Sequence, residues 1–99
     1  MADVIVRGTA IRWVDDTFPG WIEVSLRADD GQTHRVIEKV PVLTELPLTA
    51  ESKFPDELWL RGTSSRADET SVDVTLADDI TTTDGLNGVT VGTNDVIWL

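Results

Sequence analysis

Residues 20–42, GWIEVSLRADDGQTHRVIEKVPV, decide the fold of this chain. The first part, up to Arg27, alternates apolar and polar side chains, and this period of two is typical of a strand with one buried face. The residues ADDG at 28–31 then favour a tight turn, because Asp-Gly tolerates positive φ values. A return strand is predicted over about residues 32–42. The segment therefore predicts a long antiparallel hairpin whose apolar face needs the rest of the chain to cover it.

The same pattern recurs along the remainder of the chain. Residues 3–15 are predicted to form the first strand, with a bulge at Gly8 that switches the buried face, because the apolar residues before and after Gly8 differ in parity. Strands are also predicted over residues 56–63 and 71–76, joined by a turn at 64–68. After a β-branched run at 80–83, short strands are expected near 89–91 and 96–99.

Residues 44–55 are the longest predicted irregular connection, since Pro47 and Pro55 interrupt any regular element there. One helical turn is expected near residues 49–52. The apolar residues of this connection are expected to close an open end of the fold; they are Leu46, Leu48 and Phe54.

Short strands with a turn signal between each pair predict a single all-β domain over residues 1–99. The architecture expected is a small antiparallel, partly open β-barrel of five to six strands, with a two-sheet β-sandwich as the alternative. It resembles the oligonucleotide/oligosaccharide-binding fold in strand count, which implies nothing about function. The predicted core residues are Ile22, Val24, Leu26, Val36, Val72, Val74 and Leu76.

The composition narrows the classes of function. The chain has no cysteine, so disulfides, thiolate catalysis and cysteine-ligated metals are excluded. The net charge of −10 repels phosphate backbones and anionic lipid headgroups, so neither nucleic acid nor a membrane is expected as a partner. No signal peptide or membrane span is recognisable. A cytoplasmic protein is expected, with a basic protein as the partner that its charge favours.

Catalytic and metal-ligating patterns are weak. His34 is the only histidine, and no nucleophile motif accompanies it, so it is expected to be a solvated strand residue. One histidine without cysteine leaves no strong zinc set. Oxygen ligands for calcium cluster near the C-terminus, but their spacing is that of hairpin turns and not of an EF-hand. We therefore expect no enzyme activity, metal or cofactor. The clustered residues are Asp78, Asp79, Asp84, Asn87 and Asp95.

Glu38 is the acidic residue with the most unusual context, because strict alternation places it on the apolar face of the return strand. Two arrangements would resolve this conflict. A bulge near residues 37–38 turns the side chain outward, or the carboxylate is buried against a basic residue. The bulge is the simpler arrangement. The basic residues within reach are Arg12, Arg35 and Lys39.

Four tryptophans in 99 residues are unusual, and two of them share strand parity with polar residues. Trp21 and Trp59 are therefore predicted to be partly exposed. Together with Arg27 and Arg61 they form a candidate contact surface, because aromatic and arginine side chains are enriched at binding hot spots. The alternative is local packing. In particular, Trp13 and Trp21 flank the turn at 15–20 and could be cross-strand neighbours.

Three short segments carry a family resemblance: GWIEV at 20–24, EKVPV at 38–42 and Phe54-Pro55. Together they resemble a group of short uncharacterised bacterial single-domain proteins. The resemblance implies a bacterial source and a freestanding single-domain protein, and it carries over no function.

Two hypotheses about function follow. The first is a non-catalytic β-barrel that binds another protein, either a second copy of itself or a basic partner; an immunity-type inhibitor of a basic toxin fits its size and acidity. The second is a small-molecule or carbohydrate binder, with or without enzymatic activity, that uses tryptophan and carboxylates in a cleft at the barrel end. A pocket lined by tryptophan and two acids would favour the second hypothesis.

Overall fold

The computed structural model describes residues 1–43 and 53–99 of the chain and confirms the all-β prediction. Its elements, apart from one helical turn (α1) and a 3-10 turn at Thr93–Asp95, are strands. In chain order they are β1 (Ala2–Asp15), β2 (Trp21–Arg27), β3 (Thr33–Lys39), α1 (Val40–Leu43), β4 (Asp56–Ala67), β5 (Ser71–Leu76), β6 (Gly88–Gly92) and β7 (Val96–Trp98).

The strands form one antiparallel sheet, curled into an open half-barrel, in place of the alternative two-sheet sandwich. The order is β3-β2-β1-β4-β5-β6, and β7 returns to pair with β1. One edge of β1 pairs with β4 over residues 2–10. Its other edge pairs first with β7 at residues 4–6 and then with β2 from Thr9 onward. The first strand therefore serves both parts of the barrel wall.

The hairpin of β2 and β3 forms as predicted, with Val24 opposite Val36. Gly31 has a φ of 86°, the conformation that the turn requires. The return strand is shorter than the predicted 32–42, because residues Val40–Leu43 form α1. Pro41 explains this boundary, since it offers the ladder no N–H and fits the first turn of a helix.

Strand β1 has two irregularities against β2, at Ile11 and at Val14, and the prediction of a bulge at Gly8 was wrong. The register with β2 shifts between Ala10 and Arg12, whereas pairing with β4 is regular through Gly8. A Cβ at Gly8 would lie 2.8 Å from Val24 Cγ1. Glycine is therefore needed at this position for space in the core and not for a change of face.

All seven predicted core residues are buried, so the predicted parity of β2, β3 and β5 is confirmed. The bulge at Ile11 brings Trp13 opposite Ile22, on the core face. There Trp13 meets Phe54 edge to face, with 5.7 Å between the ring centroids. Phe54 thus packs on the core as expected. Leu46, Leu48 and the helical turn expected at 49–52 lie outside the described residues.

The connection after β4 differs from the sequence-based expectation, which placed a turn at residues 64–68. Strand β4 continues to Ala67 through the predicted turn at 64–68, because a register shift between Thr63 and Arg66 absorbs the extra residues as a bulge. The turn lies after it, where the Asp68 carboxylate accepts the N–H groups of Thr70 and Ser71. The β-branched run at 80–83 is a loop, in which Ile80 is buried.

Candidate functional site

Trp21 and Trp59 both lie on the outer face of the sheet, half-buried, and each has a cation over its ring. Lys39 Nζ is 5.5 Å from the Trp21 ring centroid, and the Arg7 guanidinium carbon is 5.2 Å from that of Trp59. The two rings are far apart. Trp21 is opposite Asp15 and Trp59 is opposite Arg7, eight positions away on β1, which corresponds to about 26 Å along a strand.

Trp21 and Trp13 are not cross-strand neighbours either. Trp13 is paired with Ile22 and faces the core, whereas Trp21 is paired with Asp15 and faces outward. The bulge at Ile11 changes the parity of β1 and so separates the two rings. Local packing of Trp21 therefore involves Lys39 and not a second tryptophan.

Trp59 belongs to a patch on the outer face of β7, β1 and β4. Ile5 is opposite both Ile97 on β7 and Arg61 on β4, and the next outward residue of β1, Arg7, is opposite Trp59. Residues in register have Cβ atoms about 5 Å apart, so these side chains form two adjacent rows. We call Ile5, Arg7, Trp59, Arg61 and Ile97 the contact face. Ile97 is 47% exposed, and Ile5 and Trp59 are half-buried.

Three carboxylates lie near the two arginines of the contact face, each just beyond hydrogen-bond distance of the arginine nitrogen. Arg7 Nε is 3.7 Å from Asp95 Oδ1 and 3.9 Å from Glu57 Oε1. Arg61 Nη2 is 3.9 Å from Asp78 Oδ2. These separations exceed those of hydrogen bonds, so in these three pairs the charges offset each other through space. The contact face is thus close to neutral in a chain of net charge −10.

Arg27 lies in a groove that adjoins the contact face. Pairing of β7 with β1 ends at Val6, and pairing of β2 with β1 begins at Thr9, so the ladder is interrupted between them. The interruption leaves a groove of about 390 Å³ on the outer surface. Its lining residues are Arg7, Thr9, Ser25, Arg27, Ala28, Asp29, Gly92 and Asp95.

The structure thus places three of the four predicted surface residues in one region: Trp59 and Arg61 in the contact face and Arg27 in the groove beside it. Trp21 is remote from them. The residue that joins the two parts is Arg7, which sequence reasoning missed. Its parity with Ile5 was readable from the sequence, but its position opposite Trp59 depends on the pairing of β1 with β4.

Among residues 1–43 and 53–99, the buried acid is Glu23, not Glu38. The β2–β3 register runs without a shift through Glu38, which is half-exposed at the end of β3 and accepts the N–H of Lys39, so neither expected arrangement is present. Glu23 is only 7% exposed, although it lies on the outer face. Period-two reasoning missed it because it assigns the outer face to solvent.

Two arginines hold the Glu23 carboxylate. Arg35 Nη1 donates to Oε2 at 2.7 Å, and Arg12 Nη2 donates to Oε1 at 3.1 Å. The hydrogen bond from Arg35 lowers the pKa of Glu23 below its usual value, and the charge of Arg12 adds to this effect while desolvation opposes it. The cluster ties β1, β2 and β3 together. Because each of its oxygens accepts from an arginine of a neighbouring strand, this carboxylate is a structural feature of the sheet.

His34 is largely buried, whereas a solvated residue was expected. It is paired with the buried Leu26, so it lies on the core face of β3, and its side chain is 15% exposed. Its Nδ1 lies 3.3 Å from Asp84 Oδ2, while the Thr82 hydroxyl donates to the other oxygen. That hydrogen bond lowers the pKa of Asp84, and the charge of His34 contributes less. The carboxylate stands between hydroxyl and imidazole, so His34 is not placed as a base for Thr82.

Three acidic side chains of the turns near the C-terminus each contact a different residue. Asp78 faces Arg61, Asp84 faces His34, and Asp95 faces Arg7. Asn87 Nδ2 donates to the carbonyl oxygens of Leu76 and Ile80 and so braces the loop. Within residues 1–43 and 53–99, no group of three or more histidine or acidic side chains is placed to share a metal ion.

The part of the chain that the structure describes holds no helix with the length and apolar character needed to cross a bilayer. In comparisons with known proteins, no family model matches the chain, and neither a curated protein nor a solved structure matches it.

Proposed function

We propose that this protein is a non-catalytic binding module that associates with another protein through the contact face. One observation carries the proposal: the register of β7, β1 and β4 places Ile97, Ile5 and Trp59 in one outward patch between two arginines. Aromatic and arginine side chains dominate the binding energy of interfaces, and charge is depleted at their centres. The patch has that composition, in a chain whose net charge is −10.

The partner proposed is a basic protein. Glu57, Asp78 and Asp95 border the contact face, and the net charge of −10 would steer a cationic surface toward it. A second copy of this chain is the alternative partner, but two copies repel each other through the same net charge. An immunity-type inhibitor of a basic toxin belongs to the proposed class. A bacterial source and a cytoplasmic location are parts of the same proposal.

The test compares two tryptophans of similar burial, one inside the contact face and one outside it. Trp59→Ala should weaken partner binding by about 2 kcal/mol, close to thirtyfold, because truncation of a buried hot-spot ring has that effect. Trp21→Ala removes a ring that is also half-buried and also covered by a cation, and it should leave binding unchanged. Partners are recovered from lysate with wild-type protein and titrated against all three proteins by calorimetry.

Equal losses in both variants, or no loss in either, would contradict the contact face. Sedimentation equilibrium of the same proteins distinguishes the two partner classes. A wild-type dimer that Trp59→Ala dissociates and Trp21→Ala preserves indicates self-association. For a basic partner, binding should weaken as salt is raised, since exposed charges are screened beyond about 10 Å at 0.1 M ionic strength.

The groove favours a second candidate, a binder of a small molecule or carbohydrate. Its volume lies within the range of small-molecule pockets, and it offers the carboxylates of Asp29 and Asp95. Its lining contains no tryptophan among the described residues; Trp59 adjoins it through Arg7. Loss of function in an Arg27 variant, with Trp59→Ala unaffected, would favour this candidate over the contact face.

A further inference from the structure

Two arginines line the groove where the β1–β2 ladder ends. Thr9 and Ser25 are its last paired residues at this end, and both face outward. The next outward residues, Arg7 and Arg27, would be directly opposed if the ladder continued, but pairing stops before them. Like charges opposite each other destabilise a sheet, and a groove lies where the ladder ends.

The donors of this groove are incompletely used. Within residues 1–43 and 53–99, no carboxylate lies within ion-pair distance of Arg27. The Nε atom of Arg7 faces Asp95 and Glu57 at 3.7 and 3.9 Å, beyond hydrogen-bond length. Trp59 supports the Arg7 guanidinium from the side of β4. The side chains of Arg7, Arg27, Thr9 and Ser25 therefore line one concave site.

We infer that this groove binds an oxyanion, the carboxylate or phosphate group of a small ligand, between Arg7 and Arg27. Guanidinium groups bind both anions through paired N–H donors. An anion between the two arginines removes their mutual repulsion, as the Glu23 carboxylate does between Arg12 and Arg35. Asp29 and Asp95 leave the groove near neutral, so directed hydrogen bonds and not net charge select the ligand. This inference goes beyond the proposed protein contact.

The test uses two probes, inorganic phosphate and succinate, each titrated into ¹⁵N-labelled protein at constant ionic strength. Wild type should show saturable amide shifts at the residues that line the groove, Ser25, Arg27 and Gly92 among them. Arg27→Gln should weaken binding by about tenfold or more, the effect of losing a charge-assisted hydrogen-bond donor. Arg66→Gln is the matched control, because it removes the same charge from an exposed position on β4 outside the groove.

Each outcome decides something. Saturation by phosphate alone, by succinate alone or by both supports the site and identifies the anion. Shifts that do not saturate, shifts confined to other surfaces, or equal weakening in Arg27→Gln and Arg66→Gln would overturn it. The spectra themselves show whether each variant is folded. Arg27→Gln should leave protein binding through the contact face intact, so this inference and the proposed function can fail separately.

Discussion

Two regions on the outer face of β1 and β2 use the same residue types with opposite results. Around Glu23, a carboxylate lies between Arg12 and Arg35, and both arginines donate to it at hydrogen-bond distance. Around the groove, among the described residues, neither Arg7 nor Arg27 donates a hydrogen bond to a carboxylate, and the ladder ends. The first region is complete within the fold and stabilises it. The second is incomplete, and incomplete hydrogen-bonding capacity at a surface is what a ligand can use.

The largest expected effect tests the core on which both regions rest. Val74 is buried in β5, so Val74→Asp should cost several kcal/mol, about 3–5, because it places an unpaired charge among apolar side chains. Asp73→Asn is the control on the outward side, where Asn keeps an acceptor for the Thr90 hydroxyl, and it should be nearly neutral. Thermal and urea unfolding measure both; similar losses would contradict the inner and outer faces assigned here.

A smaller effect on stability is expected when the Glu23 carboxylate is removed from between its two arginines. Glu23→Gln should cost about 1–3 kcal/mol, because it leaves two arginines facing a neutral amide. Glu57→Gln removes a carboxylate of the same type from the loose contact with Arg7 and should cost less than about 0.5 kcal/mol. Urea unfolding of the two variants gives the comparison. Equal costs would mean that the two regions do not differ as their distances indicate.

The same glutamate predicts a pH dependence. Its pKa is lower in the folded protein than in the unfolded chain, so its stabilisation is fully present above the unfolded pKa, about 4.3–4.5. It is lost as the pH falls through the folded pKa. The difference in melting temperature between wild type and Glu23→Gln should therefore be constant near neutral pH and shrink in acid. A difference that grows on acidification would refute the direction of the shift.

The smallest effect on stability is expected when a carboxylate is added to the groove beside Arg7 and Arg27. Ser25→Glu places a carboxylate beside Arg27 and diagonal to Arg7, in imitation of Glu23. The gain in stability should be about 0.5 kcal/mol, since the pairs are exposed, but binding of phosphate and succinate in the groove should disappear. Thr81→Glu, on an exposed loop, adds the same charge and should keep that binding. Retained binding in Ser25→Glu would refute the arginine pair as the site.

Alternation identified the elements but not how they meet. Strand β5 has the predicted bounds, and Ile22, Val24 and Leu26 face the core as predicted, because a period of two assigns each residue to a face. The bulges were misplaced or missed. Nothing in the sequence marks the bulge at Ile11, and Ser64-Ser65 predict a turn where the structure has a bulge. Gly8, where a bulge was expected, is a glycine because Val24 and Leu60 fill the space beside it.

The sequence predicted only part of the candidate site, because alternation assigns a residue to a face but does not give its partners on other strands. Trp59, Arg61 and Arg27 were recognised as aromatic and cationic residues on polar faces. Arg7 and Glu23 were not, because their importance lies in their partners across strands.

By itself, then, the sequence determined an all-β chain, the inward and outward side of its main strands, its acidity and its core. Only the tertiary structure decided which outward residues meet: that Glu23 lies between two arginines, that Arg7 is opposite Trp59, and that the ladder opens between Arg7 and Arg27. The physical reason is that side-chain direction is a local property of a strand, whereas register and bulges follow from the packing of the whole sheet.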